Sequence, residues 1–389
     1  MKGKTRAADE APTRPGLEGR HIRVTAHQAQ GLETRHAKGS DPTAIHGPPA
    51  TPAAEGTHSR PRIVFVVMSA VARPQTIDQL AQALAPHPVL VHHDFSQTPD
   101  FALSAPNAHF VPQPRRTGWA QFGFVEGIFH ALQHALAHLE FDYLQLLSPT
   151  CLPIQPMAAF ERHVSGVAEA HFGCVDLGSD TDARMCVGYR AWTAEGSVMH
   201  RVMRRLSRIY FEGSAGRREE AGIWLRSGRG THPAAVLAGG LLQSLAWPAV
   251  GRHLRTQPLH LYYGSTWFGA RRHIVAAMVR AWQQPGVQAH FSRVRIAEEF
   301  LVPSLLMKAG AHKGPLHHLI QRFDHAHPGV FTLADLDRLA QSGAFFARKF
   351  PDDPQAPVRL RVLAELAQTL PASPPPAASV SPLRDAAVA

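Results

Sequence analysis

The chain predicts an α/β fold with a mostly parallel central sheet flanked by helices. Two observations carry this prediction. Short apolar runs rich in β-branched or aromatic residues recur at 63–68, 89–93 and 141–147, the length and composition of buried strands. Between them lie two stretches with apolar residues at helical spacing, 76–84 and 124–139. Strands that alternate with helices build α/β domains around a parallel sheet.

The elements follow in order. Residues 63–68 (Ile-Val-Phe-Val-Val-Met) read as a first buried strand, and 76–84 as a helix with Asp78 in its first turn. Residues 89–93 form a second strand that stops at Asp94, and 109–111 a third. After the helix at 124–139, residues 141–147 form a further strand, closed by Ser148-Pro149. Ligands of such sheets bind beyond the carboxyl ends of the strands, where Asp94 and Ser148 fall. The second half is more mixed. Residues 262–268 read as a loop or strand end, followed by a helix through Trp282. Residues 300–308 and 333–340 read as helices, the first with Glu298 and Glu299 near its N-terminus, the second with Thr332 as N-cap. Residues 345–350 are the last aromatic cluster. Three segments result: a disordered, Pro/Gly/Thr/Ala/His/Arg-rich stretch over 1–60, a globular domain over 61–350, and a helix with a Pro/Ala-rich disordered tail over 351–389. No internal repeat is present.

Composition narrows the function classes. Of 389 residues, 44% are hydrophobic, enough for a sizeable core. The net charge of +10 favours anionic partners such as nucleic acid, anionic lipid or a phosphorylated substrate. Part of that charge is an arginine run at 201–208, which reads most simply as a solvated basic face. The three cysteines, Cys151, Cys174 and Cys186, contain no C-x-x-C pair. Their odd number and wide spacing argue against a disulfide framework and a zinc site, and fit a reducing compartment. No run of about 18 apolar residues predicts a membrane span, and no apolar leader follows the N-terminus. A cytoplasmic location is expected, with contact at a membrane surface left open.

The sharpest chemical clue is a pair of acids, Glu298 and Glu299, heading the apolar run 300–306. A carboxylate desolvated on one side holds its proton more tightly. That is the setting of a general base near neutral pH. A plain alternative is a helix-start carboxylate favoured by the helix dipole.

Several segments, in this order, resemble the core-2/I-branching β-1,6-N-acetylglucosaminyltransferase family, which includes peptide O-xylosyltransferases and plant relatives. His92-His93-Asp94 resembles the family's His-x-Asp at a strand end. Residues 119–125 resemble its Trp-Gly-x-x-Ser-x-Val helix entry. Residues 143–153 (Tyr-Leu-Gln-Leu-Leu-Ser-Pro-Thr-Cys-Leu-Pro) resemble its Leu-Ser-Gly-x-Asp-Tyr-Pro loop. Gly264-Ser265-Thr266-Trp267-Phe268 resembles Gly-Ser-x-Trp-Phe. The Glu298-Glu299 stretch resembles Asp-Glu-x-x-x-x-Thr, and 346–350 matches Phe-Ala-Arg-Lys-Phe. Two departures stand out: Cys151 occupies the place of the loop's acid, and Ser304 that of the threonine.

The resemblance implies a GT-A-type nucleotide-sugar transferase fold and an inverting, metal-independent glycosyltransferase. N-acetylglucosamine or xylose would pass from a UDP donor to a hydroxyl of a glycan or polysaccharide-precursor acceptor. The expected lack of a membrane anchor departs from the family's Golgi members and, with the low-complexity, Arg-rich ends, suggests a bacterial cytoplasmic setting. The spacing to Ser304 aligns Glu299 with the family's base, and the charge of Glu298 is expected to raise its pKa. Arg348 and Lys349 would receive the leaving diphosphate. Asp94 would contact the donor, or else end a strand in a turn. Trp267 and Glu298 would face the acceptor, with a core position the alternative for Trp267. His92 and His93 read as structural. No metal site is expected: Asp180 and Asp182 only mimic an Asp-x-Asp motif, and Asp324 with His325 and His327 reads as a structured loop. UDP-sugar enters as substrate, and no cofactor is implied. A non-catalytic glycan- or nucleotide-binding protein on the same fold is the rival reading. A nucleic-acid-binding protein is a weaker one, since the arginine runs lack interleaved aromatics.

Overall fold

The computed structural model describes residues 60–368, apart from 192, 215, 221, 247–258, 312–318 and 325–326. Of the two segments expected to be disordered, 371–389 and all of 1–60 but Arg60 lie outside the described residues.

β1 (Ile63–Ser69) is buried along its whole length and is the axis of the main sheet. After it, α1 (Pro74–Ala83) starts on a proline, whose missing N–H costs nothing in a first turn. β2 (Val89–His93) then pairs parallel to β1, and β3 (Ala108–Phe110) parallel to β2. α2 (Phe122–His138) buries Val125, Ile128, Phe129 and Leu132, an i, i+3, i+4, i+7 stripe. It leads to β4 (Tyr143–Leu147), parallel to β1 on its other side. These are the strands and crossovers the hydrophobic pattern predicts.

The middle of the chain supplies smaller elements that its pattern does not single out. They are β5 (Leu152–Pro153), α3 (Met157–Ser165), β6 (Ala170–His171), β7 (Cys174–Asp176), α4 (Thr181–Cys186) and α5 (Val198–Tyr210). A hairpin of β8 (Arg217–Glu220) and β9 (Ile223–Arg226) precedes α6 (Pro233–Leu241). β10 (Tyr262–Gly264) and β11 (Gly269–Arg271) follow, then α7 (Arg272–Trp282), α8 (Pro285–Phe291) and α9 (Glu298–Lys308). The last elements are β12 (Leu319–Gln321), β13 (Phe323–Asp324), β14 (His327–Pro328), α10 (Leu336–Gln341), β15 (Phe346–Arg348) and α11 (Pro357–Arg361). Thr332 does cap a helix start, but through a capping box with Asp335 on a 3-10 turn that leads into α10.

The main sheet runs β3-β2-β1-β4-β11-β6. β11 is antiparallel to both β4 and β6. The sheet is therefore mixed: β3, β2, β1 and β4 are parallel, as expected, and β11 runs against its neighbours. The reason is local. The 262–268 stretch turns back into the sheet, and Phe268 offers its carbonyl to Leu146 N–H at 2.8 Å and to the Gln145 amide at 3.0 Å. A three-residue strand held this way leaves no periodicity to read.

A second sheet, β12-β15-β5, brings the end of the chain to the carboxyl edge of the first. β15 pairs antiparallel to β5, and Phe350 N–H donates to the Thr150 carbonyl at 2.9 Å. The segment after Phe350 joins the same body. Arg359 is wholly buried, and its guanidinium bonds Gln79 Oε1 at 2.7 Å and the carbonyls of Pro351 and Thr76.

Gly264 sets the seat of β10. A Cβ there would lie 2.1 Å from the Gly173 carbonyl oxygen and 2.9 Å from the Cα of Cys174, both backbone atoms that cannot swing away. Gly264→Ala is predicted to destabilise the domain by about 1–3 kcal/mol, the range of an overpacked site. Urea unfolding of the two proteins measures it.

Candidate active site

α9 is apolar on nearly all sides, and Phe300 to Leu306 are buried without exception. Such a helix is embedded in the core, so the acids at its N-terminus stand where the core meets solvent. Ser304 ties α9 to β10: its hydroxyl accepts from Tyr262 N–H at 2.9 Å and donates to the Phe300 carbonyl at 2.6 Å. This bond fixes the register in which Tyr263, the next residue of β10, meets Glu299. The Tyr263 hydroxyl donates to Glu299 Oε2 at 3.1 Å. Arg190, from the 3-10 turn Gly188–Ala191, donates to the same oxygen at 3.1 Å. The guanidinium also lies 5.2 Å from the centre of the Phe300 ring. Burial opposes its charge, but Glu299 and Tyr263 together hold Arg190 above its ordinary pKa. Among the described residues nothing donates to Oε1 of Glu299.

The two acids therefore differ. Glu298 is only 8% exposed, and its Oε2 is buried without a partner. Burial, then the nearby Glu299 charge, pushes its carboxyl up to about 8. Glu298 therefore holds its proton at neutral pH. Of the two acids it is Glu298 whose proton affinity rises, with the Glu299 charge a second cause after burial. Glu298 does not offer an acceptor much surface.

The loop bearing the base candidate is clamped from a second side. Ile296 N–H donates to the Ala120 carbonyl at 3.3 Å, and both residues have positive φ, +52° and +63°. For a β-branched residue that backbone is strained. Beside it, Arg295 pairs with Glu195 and lies 4.9 Å from the ring centre of Trp119, which is 79% exposed.

The cations sit at the other end of the 263–267 segment. The Arg348 guanidinium lies 4.6 Å from the centre of the Trp267 ring and donates to Gln321 Oε1 at 2.9 Å. Its Nε is buried without a partner. Burial lowers its pKa, and burial and then Arg348 lower that of Lys349. No carboxylate among the described residues pairs with either. Cys151 neighbours Arg348 and spends its sulfur on Ser148, 3.3 Å from the amide and 3.2 Å from the hydroxyl. Burial raises the Cys151 pKa, so an uncharged thiol faces the guanidinium. Trp267 is 8% exposed; its ring supports Arg348 rather than lying open to an acceptor sugar. Tyr263 and Trp267 are four residues apart, which limits their α-carbons to about 14 Å.

Asp94 ends β2 as expected, but its oxygens are taken. Oδ1 accepts from the Ser96 amide and hydroxyl, and Oδ2 from Gln97, the Thr117 amide and the Thr117 hydroxyl. Burial opposes its charge, yet these donors outweigh it and hold the carboxyl well below the ordinary range. Asp94 therefore pins the 117 loop to the sheet and has no oxygen to spare for a donor nucleotide. His93 bridges Ser69 and the Thr98 carbonyl. His92 accepts from Arg115 N–H and is lowered to about 4, chiefly by burial. Both are structural. Asp180 caps α4 through Ala183 N–H and pairs with Arg218, while Asp182 accepts from Gly228 N–H. Asp324 stands opposite His327 in the backbone register of β13 and β14, and His325 lies outside the described residues. Among the described residues no cluster of three or more His, Cys, Asp or Glu is placed to hold a metal.

Arg190, Tyr263 and Gln321 carry no sequence signal as site residues. Arg190 lies 109 positions from the acid it pairs with. No protein-family model matches the chain, and no curated protein is similar enough to count as a match.

The Glu298 shift predicts a pH dependence of stability. Its folded pKa lies above the ordinary 4.5, so the stabilisation of the protonated form is complete below about 4.5 and is lost as pH rises through about 8. Relative to Glu298→Gln, wild type should lose up to ~5 kcal/mol between these limits. Paired urea melts at pH 5 and pH 9 measure the difference, and a gap that does not change with pH would contradict it.

Proposed function

We propose that the chain is an inverting, metal-independent glycosyltransferase of the core-2/I-branching type on a GT-A-like fold. It moves a sugar, N-acetylglucosamine or xylose, from a UDP donor to a hydroxyl of a glycan acceptor. One observation carries this reading: a carboxylate with one open oxygen and an acid-free cation pair are supported by the same short segment, through Tyr263 and Trp267. Sugar transfer with inversion needs those two features within a sugar's reach of each other.

The chemistry follows from the residues. Glu299 Oε1 takes the proton of the acceptor hydroxyl as that oxygen attacks the anomeric carbon. Arg190 and Tyr263 hold Oε2, which fixes the carboxylate plane. The bond from the anomeric carbon to the diphosphate oxygen breaks, and the electron pair leaves with UDP. Arg348 and Lys349 receive the growing charge, Arg348 by its fork and Lys349 as a point charge. Without a carboxylate partner, both cations gain most when an anion arrives. The mixed sheet, with β2 and β4 ending near these loops, suits a nucleotide-sugar site at the carboxyl edge. Among the described residues no helix is long and apolar enough to cross a membrane.

A screen of UDP-sugars with simple glycan acceptors, read as released UDP, tests the proposal. Glu299→Gln should lower release by roughly 100-fold or more, the range of a lost general base. Equal release by both proteins would remove Glu299 as the base, and no release by either would reduce the chain to a binding protein on this fold. Arg348→Ala should cost roughly 100-fold as well, and EDTA should leave the rate unchanged. Loss on chelation with recovery on manganese would overturn the metal-independent mechanism.

A further inference from the structure

We propose that Trp119 is an outer acceptor subsite, on which the second pyranose of an oligosaccharide acceptor stacks. The inference rests on the sugar-transfer reading and names the acceptor class for it. Trp119 is 79% exposed, and among the described residues it is the one exposed Phe, Tyr or Trp. It offers the open ring that the buried Trp267 does not.

Several contacts hold this ring on the rim of the base. Two residues earlier, the Thr117 amide and hydroxyl bond Asp94 Oδ2 and tie the loop to the main sheet. One residue later, the Ala120 carbonyl accepts from Ile296 N–H at 3.3 Å, with Ala120 at φ +63°. Arg295 lies over one face of the ring, 4.9 Å from its centre, and pairs with Glu195. The backbone of Arg295 in turn adjoins the base. Nη2 of Arg190 donates to the Arg295 carbonyl at 3.4 Å and to Glu299 Oε2 at 3.1 Å. Ring and base are thus linked through the Arg295 side chain and a single guanidinium nitrogen. A sugar whose hydroxyl meets Glu299 Oε1 occupies the inner end of this rim, and the ring receives the next unit.

The chemistry around the ring suits a pyranose. Sugars with equatorial hydroxyls present flat faces of C–H bonds, and such a face packs on an indole. Their hydroxyl edges need donors and acceptors, and the partly exposed Arg295 and Glu195 supply both beside the ring. A nucleobase also stacks on tryptophan, but Glu195 would repel its phosphate, and Arg295 is already paired. A protein partner would need apolar neighbours around the anchor. The loop 113–121 has no other exposed apolar side chain.

Calorimetric titration of the full chain with cellotriose and chitotriose, and with glucose and N-acetylglucosamine, tests the subsite with or without sugar transfer. One of the trisaccharides should bind at least ~10-fold more tightly than its monomer. Trp119→Ala should abolish that advantage and leave monomer affinity unchanged, and Trp119→Phe should keep part of it. Unchanged circular dichroism and melting would show that both variants fold, as the exposed position leads one to expect. In the UDP-release assay, Trp119→Ala should raise KM for the trisaccharide at least ~10-fold, with kcat within about twofold. Trisaccharides bound equally by wild type and Trp119→Ala, or by neither, overturn the subsite. So does single-stranded oligo-dT bound through Trp119 more tightly than either trisaccharide. UDP release on which Trp119→Ala has no effect refutes the subsite alone. Trisaccharide bound through Trp119 with no UDP release refutes the transferase reading alone.

Discussion

The return of residues 262–268 into the main sheet is the constraint on which the rest of the site depends. Two glycine-tight contacts and one hydrogen-bonded carbonyl hold it: Gly264 against the backbone of Gly173 and Cys174, Gly269 against Tyr143 and Gln145, and the Phe268 carbonyl on β4. None tolerates much displacement, because each faces backbone or a fully buried side chain. With the segment so fixed, Tyr263 reaches Glu299 on one side and Trp267 underlies Arg348 on the other. Acid and cation come from residues 49 positions apart in sequence and are brought into relation by a piece of chain that does no chemistry.

That arrangement explains the electrostatics without a special device at either end. Glu298 and Glu299 share one helix start, and solvent access alone separates them. The buried one keeps its proton and the half-buried one finds an arginine. At the cation end the decisive residue is one without charge. An acid at 151 would lie beside Arg348 and satisfy it internally, whereas the buried thiol leaves the guanidinium to seek an anion from outside. Under the proposed reading, the cysteine at 151 leaves the cation pair open to the donor's diphosphate rather than weakening it.

Much of the fold was legible because β1, β2, β4 and α2 bury long, continuous faces. Hydrophobic period reports such faces directly. β5, β6, β7 and β11 were not legible, since strands of two or three residues have no period and are held by single hydrogen bonds to distant partners. The candidate site divides in the same way. Glu298, Glu299, Arg348 and Lys349 were visible as charges set against apolar runs. Arg190 and Gln321 were not, because nothing local marks a residue whose partner is far along the chain. For Asp94 and Trp267 a binding role and a structural one both stood open: sequence shows that a side chain has hydrogen-bonding or stacking capacity, and only the fold shows that the capacity is already spent.

The wholly buried Arg359 has a consequence for how the protein is made. Its guanidinium bonds Gln79, 280 residues earlier, along with the carbonyl of Thr76 in α1. Until the ribosome has released residue 359, the first crossover helix lacks a core contact, and β15 cannot complete the second sheet. A domain whose ends meet in this way cannot mature piecewise from its N-terminus during synthesis.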